Sequence, residues 1–218
     1  MDKYNLWYNT AVIITTDHGH ELGEKQRFAK APPHYDLSAN IPLMVWLPGM
    51  TELKRISAIT TAVDIYPTIL NLLGEPSPCS PHGRTLIPLI KGETDKHREA
   101  VVYGQHASGA TVTNRRYTYH TTWNPEAEIN RYSSIMFRPS PDAEAGKFIP
   151  GVDCPVWKIP SKSGPAIPEM LFDRENDPAQ ENNISEEERN GVKEMRAILK
   201  ELMDEEGVPP EQYKRLMF

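Results

Sequence analysis

Apolar residues in this chain follow two different rhythms. In the first part, unbroken apolar runs stand between polar connections. Ala11 to Thr16 reads Ala-Val-Ile-Ile-Thr-Thr, a β-branched run of the kind buried on both faces of a parallel sheet. Ile41 to Leu47 is a second such run, stopped by the turn pair Pro48-Gly49. The polar stretch between them has little regular pattern and is long for a simple connection, so chemistry is expected there. Asp64 then stands as a helix N-cap, Pro67 falls in the first turn, and Ile65, Ile69, Leu72 and Leu73 form one stripe before Gly74 closes the helix.

From about Arg98 the rhythm shortens to strand-like pieces at Ala100 to Tyr103, Ala110 to Thr113, Tyr117 to Trp123 and Met170 to Asp173. Near the end, Ser185 and Glu188 have capping-box spacing, and Val192, Met195, Leu199, Leu202 and Met203 recur at helical intervals up to Gly207 and Pro209. The pattern predicts an α/β chain in two units. Residues 1–97 form the C-terminal part of a mixed-sheet domain, and residues 98–218 form a small antiparallel sheet packed by a C-terminal helix. Proline and glycine cluster between residues 139 and 168, an irregular surface segment within the stretch of about 125–167 that reads as an insertion. Its aromatics and their neighbours, Trp123, Tyr132, Phe137, Arg138, Phe148 and Trp157, suit sugar or aryl rings as well as simple stapling to a surface.

Composition narrows the partners. A formal net charge of -6 over 218 residues argues against a phosphate-backbone binder, so no nucleic acid is expected. No apolar run approaches the roughly 18 residues of a membrane span, so no membrane partner is expected. Two cysteines, Cys79 and Cys154, permit at most one bridge and leave the compartment open.

Directly after the first apolar run stand Thr16-Asp17-His18-Gly19-His20, and ligands of open α/β sheets bind at the carboxyl ends of strands. A carboxylate beside an imidazole offers a divalent cation one hard oxygen and one borderline nitrogen. For a bare pair, an Asx-turn or helix cap at Asp17 beside an incidental histidine is the commoner explanation.

The surrounding residues add a resemblance. Asp17-His18-Gly19, Gly23-Glu24, Phe28, Lys30, Tyr35, Ser38 and Ile41-Pro42-Leu43 resemble, in order and spacing, the sulfatase family of the alkaline-phosphatase-like superfamily. Val63 to Leu70, Gly83-Arg84-Thr85-Leu86 and Phe172-Asp173 continue the family's C-terminal course. The resemblance implies that Asp17 and His18 bind a divalent cation, usually calcium, and that Lys30 contacts the sulfate. His20, His34 and His106 are secondary candidates for lining the substrate pocket. The implied partner is a small-molecule or carbohydrate sulfate ester.

The family's nucleophile is a formylglycine made from Cys or Ser in a Cys-x-Pro-x-Arg or Ser-x-Pro-x-Arg segment, and no such segment stands ahead of Asp17 here. Cys79-Ser80-Pro81 is a decoy, because Gly83 stands where the arginine belongs. The chain alone is therefore expected to be inactive, with possible association through an exposed sheet surface. Two alternatives remain at this stage: a phosphodiesterase, phosphonate hydrolase or phosphomutase of the same superfamily, and a non-catalytic association module.

Overall fold

The computed structural model describes residues 1–77, 82–135, 140–149 and 153–218. The decoy Cys79-Ser80-Pro81 and the pair Phe137 and Arg138 lie outside the described residues. The chain separates into two compact units, and neither is a single stretch: Met1–Val101, Thr113–Tyr117 and Asp173–Glu181 form one, and Val102–Val112, Thr118–Phe172 and Asn182–Phe218 form the other.

In the first unit, β1 (Val12–Thr15) is followed by a hairpin of β2 (Glu21–Leu22) and β3 (Phe28–Ala29), then by α1 (Asp36–Ala39) and β4 (Leu43–Trp46). The polar stretch is thus more ordered than its sequence suggests. β1 and β4 pair antiparallel, Ile13 opposite Val45 and Ile14 opposite Met44. An apolar run signals burial but carries no information about the direction of its neighbour, and here the intervening hairpin and helix return the chain alongside β1. Ile14 and Met44 are more than half exposed, so one face of the pair lies open.

α2 (Ile65–Leu73) ends at Gly74, whose left-handed backbone lets its N–H reach the Asn71 and Leu70 carbonyls. At the other end Thr61 and Asp64 form a reciprocal capping box. α3 (Ile87–Lys91) follows, with Ile87 and Leu89 buried.

A four-stranded sheet comes next, built from β5 (Ala100–Gly104), β6 (Ala110–Asn114), β7 (Tyr117–His120) and a strand from further along the chain. β6 and β7 turn across Arg115 and Arg116, where the Asn114 side chain accepts the Arg116 and Tyr117 N–H groups at 2.8 and 2.7 Å. The stretch expected to be irregular contains β8 (Ile129–Ser133), β9 (Glu144–Gly146) and β10 (Val156–Ser161), which form their own antiparallel sheet in the order β8-β10-β9. Pro160 sits inside β10, and Pro and Gly nearby masked the strand rhythm. β11 (Met170–Asp173) completes the four-stranded sheet in the order β11-β7-β6-β5.

α4 (Arg189–Glu205) buries Val192, Met195, Leu199 and Met203 along the predicted stripe. Its start differs from the expected capping box. Ser185 is buried and its hydroxyl donates to the Glu169 carbonyl, so it fastens the entry to β11 instead of capping the helix. α5 (Pro210–Arg215) closes the chain. Leu199, fully buried beside Val102, Ala110 and Leu216, anchors this core. Leu199→Ala is expected to cost about 2–5 kcal/mol, read by chemical denaturation, whereas truncating exposed Lys200 should cost well under 1 kcal/mol.

Candidate active site

Beyond β1 the chain leaves the sheet at Thr16, and Asp17 folds back on its own backbone. Its Oδ1 accepts the His18 N–H at 3.1 Å and the Thr16 hydroxyl at 3.3 Å. The local turn and the chemical reading coexist, because Oδ2 is left facing His18 Nε2 at 3.3 Å. Hydrogen bonding to the main chain at Asp17 lowers its carboxyl pKa; slight desolvation opposes this, and the His18 ring adds to the lowering. The side chain is exposed and ionised at neutral pH.

The orientation of His18 follows from its other nitrogen. Nδ1 lies 2.8 Å from the Gly19 carbonyl, which can only accept, so Nδ1 carries the proton and Nε2 the lone pair. Lys30 Nζ donates to Nε2 at 2.6 Å from the segment after β3. Three side chains from two separate segments thus meet around one nitrogen.

Gly19 has a steric role. Its N–H donates to the Ser38 carbonyl at 2.9 Å, and a Cβ there would stand 2.1 Å from the Leu37 carbonyl oxygen. Gly19→Ala should therefore push the turn off α1 and cost about 2 kcal/mol, seen as a drop in thermal midpoint. Gly164→Ala, which would meet nothing within 4 Å, is the matched control and should be near neutral.

Of the secondary candidates, His34 is half-buried near His18. Desolvation, then the charges of Arg27 and His18, lower its pKa against the pull of Glu21, so its ring is neutral at pH 7. A neutral ring suits hydrogen bonding better than proton donation to a leaving group. His20 is exposed. His106 lies in the second unit, in the turn after β5, where desolvation and the charges of Arg215 and Arg131 lower its pKa.

The structure also shows groups that sequence rhythm does not reveal. Glu21 is fully buried and receives two hydrogen bonds from the Arg27 guanidinium. Lys25 donates to the Ala179 and Gln180 carbonyls, each at 2.6 Å, while the Gln180 side chain accepts the Asp36 N–H at 2.7 Å. Glu21 and Arg27 are six residues apart across a hairpin, a spacing no helix or strand period singles out.

Asp17 and His18 fit a divalent cation in donor type and convergence, with Nδ1–H held by a backbone carbonyl as in metal-ligating histidines. The fit is partial. Among the described residues no group of three or more His, Cys, Asp and Glu could hold a metal ion, whereas calcium takes about six to eight oxygens.

The Sulfatase family model matches residues 1–75. Arylsulfatase K of Canis lupus familiaris is 41% identical over 87 residues, 40% of this chain and 16% of the relative. Arylsulfatase K of Xenopus laevis is 26% identical over 205 residues, 94% of this chain and 33% of the relative. The chain thus spans a third or less of the length of these two relatives. Among solved structures, yidJ of Bacteroides fragilis, a candidate sulfatase, superposes with a TM-score of 0.64 at 22% identity, covering 99% of this chain and 40% of that one.

The same fold is seen in the phosphonate monoester hydrolase of Agrobacterium radiobacter, which superposes with a TM-score of 0.60 at 18% identity, covering 92% of this chain and 36% of that one. The motif order read from the sequence thus agrees with a match to the Sulfatase family over residues 1–75 and to Arylsulfatase K relatives over most of the chain.

Proposed function

We propose that this chain supplies the cation- and sulfate-binding part of a sulfatase active site, which hydrolyses a sulfate ester to an alcohol and sulfate. The observation that supports it is the convergence of Asp17 Oδ2 and Lys30 Nζ on His18 Nε2 at the end of β1. Asp17 and His18 would hold the divalent cation, for which the family resemblance implies calcium. When bound, that ion supplies fixed positive charge against the charge growing on the ester's oxygens.

The chain's own residues do the rest of the positioning. The Gly19 carbonyl fixes the His18 tautomer, so Nε2 presents its lone pair without reorganisation. Lys30, whose ammonium now points at that lone pair, would turn to a sulfate oxygen once the cation takes Nε2. This sequence holds no Cys-x-Pro-x-Arg or Ser-x-Pro-x-Arg segment to supply a formylglycine nucleophile, so the chain alone should not turn over sulfate esters. The open face at Ile14 and Met44 is where the remainder of the active-site domain would pack. The substrate is a small-molecule or carbohydrate sulfate ester, consistent with the arylsulfatase names of the relatives.

A chelator should abolish hydrolysis of a chromogenic aryl sulfate by a catalytically competent form of the protein, and added calcium should restore it. Turnover that persists unchanged in excess chelator would contradict the reading.

A further inference from the structure

We infer that Arg27, anchored by the buried carboxylate of Glu21, is the positioning residue that sets Lys30 against His18. This rests on the proposed role of Lys30 and adds the device that places it. Lys30 is exposed and sits on a segment of only two strand residues followed by irregular chain, which by itself would leave a long flexible side chain without a fixed direction.

The Arg27 side chain closes that segment into a loop. Its Nη1 donates to the Pro32 carbonyl at 3.2 Å and its Nη2 to the Pro33 carbonyl at 2.7 Å. Lys30 lies midway along the stretch so closed. The guanidinium is itself held from the opposite side, Nε and Nη2 both donating to Glu21, with the Nη2 bond to Oε1 at 2.7 Å. Glu21 is fully buried on β2, so the clamp is referred to the hairpin and not to a mobile surface group. The Tyr35 ring lies 5.2 Å from the guanidinium carbon and covers its face.

Four of the guanidinium's five N–H groups are spent on this one task, in a planar fork that an ammonium cannot reproduce. Arg27 therefore acts through Lys30 and not on the substrate. Its value is geometric, because a misplacement of about 1 Å at a reacting group can cost about a hundredfold in rate.

The test compares wild type, R27K and E21Q. In the labelled full chain, a nuclear Overhauser contact between the Lys30 side chain and the His18 ring is expected in wild type. It is expected to vanish in R27K and E21Q, while amide resonances of the second unit stay in place. In a catalytically competent form, both variants should lose about a hundredfold in kcat with KM nearly unchanged, a split that simple destabilisation would not produce. If R27K fails to fold, the near-isosteric E21Q carries the comparison. Retention of the full Lys30–His18 contact in a folded R27K or E21Q overturns the inference. Wild-type rates retained by Lys30→Ala in the catalytically competent form would instead count against the proposed function and leave the contact measurement standing.

Discussion

Replacing Lys30 by alanine is expected to lower aryl sulfate turnover by about two to three orders of magnitude in a catalytically competent form of the protein. The ammonium sits 2.6 Å from His18 Nε2, and on the proposed reading it would donate to an oxygen of the bound sulfate. Removing one such preorganised donor costs the transition state more than the ground state, so kcat should carry most of the loss. The thermal midpoint should barely move, because Lys30 is exposed and buries little. A variant with unchanged kcat and a lowered midpoint would reverse the assignment and make Lys30 structural.

Asp64→Ala should have the largest effect on stability, about 3–5 kcal/mol, or a drop of about 10 °C in thermal midpoint. Asp64 has no exposed surface and accepts from five groups. The Thr61 N–H lies at 3.0 Å, the Arg84 N–H at 2.8 Å, His97 Nε2 at 3.0 Å, and Arg98 Nη2 and Nε at 2.5 and 3.3 Å. Truncation removes the carboxylate from the Arg98 guanidinium and the His97 ring, both nearly buried, leaving Arg98 Nη2 only the His82 carbonyl at 3.0 Å. Burial alone would raise the Asp64 pKa, but the Arg98 hydrogen bond and the two backbone amides outweigh it and leave the pKa below its ordinary value. A carboxyl lowered on folding contributes stability above its unfolded pKa of about 4, and that contribution is lost as pH falls through the folded value. The gap between wild type and Asp64→Ala should therefore be widest near neutrality and shrink in acid. Denaturant midpoints measured from pH 7 down to pH 3 would show it; a gap independent of pH would contradict the charge-based account.

Much of this chain was legible from its residues, and the failures share physical causes. The α2 and α4 stripes were readable because an amphipathic helix stamps its period on the sequence, and Gly74 supplies the left-handed cap such a helix needs. The β1 and β4 runs were visible as strands, but burial pattern does not encode pairing direction, so their antiparallel register could not be read from it. Strands β8 to β10 were hidden because Gly146 and Pro160 interrupt the alternation that marks a strand.

At the site, Asp17, His18 and Lys30 were found through motif order, and the structure brings them together. The Glu21–Arg27 clamp was not found, since a carboxylate and a guanidinium paired across a hairpin look in sequence like two ordinary solvated charges. Asp64 was read as the N-cap of α2; it makes no side-chain cap there but closes the capping box of Thr61 one turn earlier, and its pairing with Arg98 depends on a contact 34 residues away that local pattern does not carry.

The central claim is that Asp17 and His18 take a cation while Lys30 takes the sulfate. It is tested most directly by a crystal structure of a catalytically competent form grown with calcium and sulfate. The account predicts a cation within about 2.6 Å of an Asp17 oxygen, close to His18 Nε2, with Lys30 swung from that nitrogen onto a sulfate oxygen. Sulfate and calcium ordered together elsewhere, with Lys30 still bonded to His18, would contradict it.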